Sequence, residues 1–216
     1  MMDIIFPRLH KEGYRFLAIA FLVTFILFLI SNFFALLGLI ITIWVYYFFR
    51  DPERFSIKNE NYLLSPADGV VSQITEVNGP RELGLENKKF TRISIFMNVF
   101  DCHVNRVPVT GKISKIFYKP GKYINASLDK ASEENERNYV LMNSSKGEEI
   151  ILVQIAGLIA RRIVCEIKEN EEIEQGNKFG IIRFGSRVDL YFNDYKLMVK
   201  LKQKMIAGET ILAIKK

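Results

Sequence analysis

The polarity pattern divides the chain in two. From Phe16 to Phe49, 34 residues pass without an Asp, Glu, Lys or Arg. A single spanning helix needs roughly 20 apolar residues, so this run is long for one crossing. Ser31-Asn32 interrupts it near the middle and Gly38 lies a little beyond, leaving two apolar arms, Phe16–Ile30 and Phe33–Phe49. Each arm predicts a short helix. The run is too long for a signal-peptide core, and no small-residue cleavage site follows it. Arg8, Lys11 and Arg15 flank one end; Arg50, Arg54 and Lys58 flank the other. Cationic flanks favour the cytoplasmic side, and a hairpin or re-entrant pair satisfies both ends. A single tilted span satisfies one end, and a buried core helix is a third reading. Trp44, Tyr46 and Tyr47 beside Arg50 have the composition of an interfacial aromatic belt.

At Arg50-Asp51-Pro52-Glu53-Arg54 the pattern changes. Charge returns, and Pro ends any helix. Short β-branched and aromatic segments follow: Tyr62–Leu64, Gly69–Thr75, Thr91–Met97, Gly111–Tyr118, Asn138–Met142, Glu149–Ile155, Ile163–Ile167, Lys178–Arg183, Arg187–Phe192 and Thr210–Ile214. Pro66-Ala67-Asp68-Gly69, Pro120-Gly121, Lys146-Gly147 and Gly185-Ser186 punctuate them as turns. Asp129–Arg137 reads as a loop or one helical turn. Many short strands at regular spacing predict a mainly β domain, a sandwich or partly closed barrel, over residues 51–216 behind a helical membrane-anchoring leader, residues 1–50.

Charge narrows the choice of partner. The chain has 30 Lys and Arg against 24 Asp and Glu, a net +6. With no basic run and no nucleic-acid motif, this excess fits an anionic membrane surface better than nucleic acid. Cys102 and Cys165 are too few for a disulfide scaffold and read as free thiols. No metal-ligand set, GxGxxG or P-loop is present, so neither a metal nor a nucleotide is expected.

Four places carry candidate chemistry. His103, in Asp101-Cys102-His103-Val104-Asn105-Arg106-Val107-Pro108, is the one His beyond the leader. His is the usual proton-transfer side chain near neutral pH, although a satisfied His at a strand end is the commoner case. Asp68 reads first as a turn residue and second as a carboxylate that orients a base. Gly185-Ser186 reads first as a plain hairpin turn. It also allows an unusual step, because the Gly carbonyl is open to attack by the adjacent Ser hydroxyl once a base takes its proton. Arg161 and Arg162 lie side by side among small residues and can grip phosphate, or serve only as solvated charges flanking a strand.

Six segments together resemble one family. They are Leu64-Ser65-Pro66-Ala67-Asp68-Gly69-Val70, Phe96 to Pro108, Tyr118-Lys119-Pro120-Gly121, Glu134-Asn135-Glu136-Arg137, Gln154 to Ile163, and Phe184-Gly185-Ser186. In this order they resemble the phosphatidylserine decarboxylases in their short, bacterial and archaeal form, over roughly Arg50 to Phe192. The resemblance implies a proenzyme that cleaves itself. Ser186 attacks the Gly185 carbonyl, the ester eliminates, and residue 186 becomes a covalent pyruvoyl group, the cofactor in place of pyridoxal phosphate. A β chain of residues 1–185 and an α chain of residues 186–216 result. They are expected to stay together as a heterodimer, in or out of a higher oligomer, with Val188–Phe192 and Thr210–Ile214 docked as strands. The pyruvoyl group would take the amine of phosphatidylserine as a Schiff base and accept the electrons released with carbon dioxide, giving phosphatidylethanolamine. His103 matches the family's proton donor, and Asp68 the acidic member of its processing triad.

Two positions depart from the family pattern. Arg106 stands where longer members carry a second His, and a guanidinium is no base near neutral pH. Either His103 serves both steps, which is the favoured reading, or processing uses Asp68 and strain at Gly185. Arg187 replaces the more usual Thr after the Ser and, with Arg161 and Arg162, is a candidate for the lipid phosphate. The expected location is the cytoplasmic membrane, with the β domain on the cytoplasmic side. An archaetidylserine decarboxylase shares the chemistry, and a non-catalytic membrane-anchored β module is the alternative from another class.

Overall fold

A computed structural model of the chain describes residues 7–124, 134–157, 162–183 and 186–216. In chain order the elements are β1 (Arg8–Leu9), α1 (Gly13–Ile30), α2 (Asn32–Phe48), β2 (Arg50–Asp51), β3 (Tyr62–Leu64), β4 (Gly69–Asn78), β5 (Lys89–Met97), β6 (Val104–Arg106), β7 (Gly111–Lys119), β8 (Arg137–Ser144), β9 (Glu149–Ala156), β10 (Arg162–Cys165), β11 (Glu172–Ile173), β12 (Lys178–Arg183), β13 (Ser186–Phe192), β14 (Tyr195–Leu197), β15 (Lys204–Met205) and β16 (Ile211–Lys215). The chain separates into two units, Met1–Glu53 and Arg54–Lys216.

The first unit is a helical hairpin. Ser31 alone leaves the helical region, at φ −167° and ψ 146°, and its side chain accepts a hydrogen bond from the Phe33 N–H at 3.2 Å, capping α2. The arms run antiparallel: Phe16 stacks on Phe49 with ring centroids 5.0 Å apart, and the Thr24 and Thr42 hydroxyls meet at 2.9 Å. Gly38 lets the helices approach closely, because a Cβ there would stand 2.9 Å from the Thr24 hydroxyl. At the base, Arg8 pairs with Asp51 and Leu9 with Arg50, so both ends of the hairpin emerge together. Large apolar side chains such as Phe21, Phe25, Leu29 and Ile40 face outward and are exposed. α1 has a mean hydropathy of 2.3 over 18 residues and is long and apolar enough to cross a membrane. The pairing through Asp51 carries this unit past Arg50 to Glu53.

The second unit is mainly β. Its largest sheet has eight strands in the order β11-β7-β8-β9-β13-β5-β4-β15, curled into a half-barrel. Two three-stranded sheets accompany it, β10-β12-β6 and β14-β16-β3. The main core contains Ile93, Ile95, Met97, Val140, Leu152, Val188, Leu190 and Phe192 from one face of the large sheet. Phe179 and Ile182 of β12 close onto that face, with Leu212 and Ala213 of β16. A smaller cluster on the other face gathers Phe90, Tyr139, Ile151, Val153, Ile155 and Tyr191. Alternation along β13 serves both clusters, and all seven of its residues are buried.

The predicted strands recur within one to three residues of their expected bounds, and β13 and β8 begin a residue earlier. Val104–Arg106 and Tyr195–Leu197 form strands that the local pattern does not announce, because each is three residues long and gains its pairing from distant segments. The segment Asp129–Arg137 lies partly outside the described residues, and Arg137 opens β8. The C-terminal strands divide between sheets: β13 lies in the large sheet, and β16 pairs with β3 and β14.

Candidate active site

Ser186 opens β13, so its environment follows from strand register. Its neighbours across the sheet are Ala156 of β9 and Met97 of β5. One strand further, Gly69 opens β4 against Phe96 and Met97 and pairs with Met205 of β15. Strand spacing of about 4.8 Å puts Gly69 about 10 Å from Ser186 on the same edge of the sheet. Gly69 has φ +140°, and a Cβ there would stand 2.2 Å from the Phe96 carbonyl oxygen, so only glycine seats the 65–69 turn at this point. Ser186 is completely buried, and its hydroxyl has no hydrogen-bond partner among the described residues. A buried, unsatisfied hydroxyl costs folding free energy, and the Ser94 and Tyr195 hydroxyls share this condition.

Asp68 immediately precedes Gly69. Its Oδ1 accepts from the Ala207 N–H at 2.8 Å and its Oδ2 from Arg54 Nη2 at 2.8 Å. The carboxylate is therefore held as an anion at the same sheet edge as Ser186, with Arg54 as a charged partner that sequence spacing does not suggest. His103 is fully buried in the segment joining β5 to β6. Its Nδ1 lies 3.0 Å from the Asp101 carbonyl oxygen. A carbonyl can only accept, so Nδ1 carries the proton and Nε2 is the basic nitrogen of the ring. The His103 carbonyl accepts from the Ile182 N–H at 3.3 Å, which ties this segment to the strand leading into Ser186.

The arginines separate by environment. Arg106 is buried and donates from Nη1 to the Gly176 carbonyl at 2.9 Å, and its own N–H donates to the Pro66 carbonyl. It fastens β6 to the 65–69 turn. Arg187 is 1% exposed and forms two contacts with Asp189 on the same strand face, Nε to Oδ1 at 2.9 Å and Nη2 to Oδ2 at 3.0 Å. Its charge is compensated inside the fold, and it points to the face opposite Ser186. There the Tyr191 phenol is pushed up to about 12, by burial first and by the Asp189 charge second. Arg162 opens β10, is exposed, and sits in register with Arg183 of β12. Gly185 and Arg161 lie outside the described residues.

Register and burial bring in residues that pattern reasoning misses. Asn135 is fully buried and donates to the Ala156 carbonyl at 2.6 Å and the Ile124 carbonyl at 2.7 Å. Glu136 accepts from the Ile163 N–H at 3.0 Å and the Tyr123 hydroxyl at 2.7 Å. These two adjacent side chains hold Ala156, the cross-strand neighbour of Ser186, and Ile163 of β10. Asn105, Asn138 and Gln154 form a further buried amide chain: Asn138 donates to Gln154 at 3.0 Å and Gln154 to Asn105 at 2.9 Å. The only local signal was polar residues inside otherwise apolar strands.

A family model described as phosphatidylserine decarboxylase matches residues 41–213, a span that holds every one of these groups. The chain belongs to the phosphatidylserine decarboxylase family. Its similarity to individual members extends over the whole length. The phosphatidylserine decarboxylase proenzyme of Pelagibacter ubique is 65% identical over 215 residues, covering all of both chains. That of Ruegeria pomeroyi is 50% identical over 99% of this chain and 98% of its own. That of Rickettsia typhi is 50% identical over 97% of this chain and 91% of its own. The matched span includes Ser186, at the head of β13.

Proposed function

We propose that this chain decarboxylates phosphatidylserine to phosphatidylethanolamine and carbon dioxide after cutting itself between Gly185 and Ser186. The observation that carries the reading is the buried Ser186 hydroxyl, partnerless among the described residues, in a chain of this family. The Ser186 hydroxyl adds to the Gly185 carbonyl and the C–N bond breaks, leaving an ester and a free amine. Loss of the Ser186 α-proton and cleavage of its C–O bond then release Gly185 as a carboxylate. The dehydroalanine left behind takes up water and loses ammonia to give the pyruvoyl group. That group supplies a carbonyl that engages the substrate amine and accepts the electrons freed with carbon dioxide.

The chain's own residues do the rest. His103, with Nδ1 fixed on the Asp101 carbonyl, presents Nε2 to move protons in both phases. Asp68, held by Arg54 and Ala207, keeps a negative charge at the same sheet edge and favours a protonated base there. Arg162, exposed and opposite Arg183, is the group offered to the lipid phosphate. Arg187 is committed to Asp189 and is not assigned to the phosphate. The α chain, residues 186–216, contributes β13, which pairs on one side with β9 and on the other with β5. Two full ladders hold it in a heterodimer with the β chain after the backbone is cut. The apolar hairpin tethers the enzyme to the cytoplasmic membrane, where the substrate resides, with its basic flanks inside.

Intact-mass spectrometry of the expressed full chain tests the reading. The expected result is two masses, one a 31-residue fragment beginning with pyruvoyl. A single uncleaved mass for a folded protein, or cleavage that persists in Ser186→Ala, overturns it.

A further inference from the structure

The end of the large sheet that holds Ser186 and Asp68 carries exposed apolar side chains, each beside a residue that builds the site. Phe55 follows Arg54, whose guanidinium holds Asp68 at 2.8 Å, and is 86% exposed. Phe100 precedes Asp101, whose carbonyl lies 3.0 Å from His103 Nδ1, and is 72% exposed. Among the described residues these two are the most exposed large apolar side chains, ahead of every one on the helical hairpin. Ile206 precedes Ala207, whose N–H donates to Asp68 at 2.8 Å, and it too is exposed. Apolar side chains left in water forfeit the free energy of burial, and three of them beside one site mark a surface that meets an apolar partner.

The adjoining segment supplies charge. Residues 195–208 hold Lys196, Lys200, Lys202 and Lys204 and no Asp or Glu. β15 pairs Lys204 with Val70 and Met205 with Gly69, which fixes this segment along the sheet edge next to the Asp68 turn. Just before β15 the chain turns tightly: the Gln203 N–H donates to the Lys200 carbonyl at 3.2 Å, and Lys202 sits at φ +66°. At the tip Leu201 is 57% exposed, with an exposed lysine on either side. Two carboxylates of the same rim are engaged within the fold. Asp101 Oδ2 accepts from the Asn98 N–H at 2.9 Å, and Glu209 Oε1 from the Phe55 N–H at 3.0 Å. Apolar side chains interleaved with lysines fit the surface of an anionic bilayer, where rings and Leu enter the acyl boundary and ammonium groups meet lipid phosphates. We propose that this rim docks the β unit directly on an anionic phospholipid bilayer, so that the site meets headgroups whose acyl chains stay in the membrane. The inference rests on the phospholipid-substrate reading above.

The experiment places a nitroxide on Phe100→Cys or Leu201→Cys in the full-length chain carrying Cys165→Ser; Cys102 is buried and stays unlabelled. Lys146→Cys is the control. Lys146 lies in the turn between β8 and β9, at the end of β9 away from Ala156, a strand's length or about 24 Å from the rim. The chain is reconstituted in phosphatidylcholine vesicles with or without phosphatidylglycerol. Power-saturation spectroscopy then compares relaxation by oxygen with relaxation by a water-soluble nickel chelate. In anionic vesicles the labels at positions 100 and 201 should respond to oxygen, and the label at 146 to nickel. Combining Lys200→Gln, Lys202→Gln and Lys204→Gln should lower the docked-to-undocked ratio by about 100-fold, at about fivefold per lysine, and return both rim labels to nickel. All these positions are exposed, so folding is retained and thermal melting verifies it. Rim labels that stay in water on anionic vesicles overturn the proposal. So does equal shielding at position 146, which is adsorption without orientation, or a lysine variant that docks like the parent. If the parent chain runs as one uncleaved mass, the self-cleavage reading fails whatever the labels report. If it cleaves while the rim labels stay in water, only this inference fails.

Discussion

The two faces of β13 make opposite use of buried polar groups. On one face Ser186 keeps a hydroxyl with no partner among the described residues, set between Ala156 and Met97. On the other, Arg187 and Asp189 neutralise each other at 2.9 and 3.0 Å while both are 1% exposed. One residue along an extended strand reverses the side-chain direction, so neighbouring positions experience unrelated environments. The Ser186 face is the one proposed to react. The other face carries buried charge that stabilises only while both partners remain.

Substitutions on each face should therefore fail differently. Ser186→Ala has the largest expected effect, a complete loss of the 31-residue fragment with folding retained, read by intact mass and thermal melting. If that variant also unfolds, the Ser186 face is structural and the contrast collapses. Asp189→Ala, placed in the Ser186→Ala background to keep one chain, should lower stability by about 3–5 kcal/mol, since it leaves a buried guanidinium uncompensated. Thermal unfolding in detergent measures this, and Arg187→Met with Asp189→Leu should recover most of the loss. Gly69→Ala comes next. It forces a Cβ to 2.2 Å from the Phe96 carbonyl at φ +140°, and it should cost more than about 1 kcal/mol and slow cleavage by displacing Asp68.

The smallest expected effect lies at the edge of the far face. Burial alone would raise the Glu82 carboxyl, but its hydrogen bond to Lys119 at 2.9 Å and the nearby Arg137 charge hold it below 4.5. A depressed carboxyl contributes stability above its unfolded-state value and loses it as pH falls through the folded one. Glu82→Gln should therefore melt slightly lower than the parent at pH 7, by less than about 1 kcal/mol, and the difference should close as pH falls below 4.5. A gap that widened in acid would reverse the assignment.

Local pattern carried much of the fold. β-branched and aromatic enrichment between turn residues places strands such as Tyr62–Leu64 and Lys178–Arg183 where they are found. The apolar arms, the break at Ser31-Asn32 and cationic flanks at both ends favoured a hairpin over a single span or a buried core helix, and a helical hairpin is found. β6 and β14 were illegible, being three-residue segments whose pairing energy comes from strands far along the chain. At the site, Gly185-Ser186, His103 and Asp68 stood out through motif order. Arg54 did not, and Asn105, Gln154 and Asn135 lay inside the motifs without standing out singly, since nothing in a polar residue's immediate neighbours tells whether distant strands will bury it.

By itself the sequence determined an apolar helical leader ahead of a mainly β unit, and a Gly-Ser pair just before a strand within an ordered set of family motifs. These are properties of local periodicity and residue type. Tertiary structure decided that this strand would be the one between β9 and β5, paired on both sides. It also decided that the Asp68 carboxylate would meet the Ala207 N–H, and that Asn105 would meet Gln154. Those outcomes depend on strand order and register, which bring together residues tens of positions apart, and therefore on contacts that no local stretch of the chain encodes.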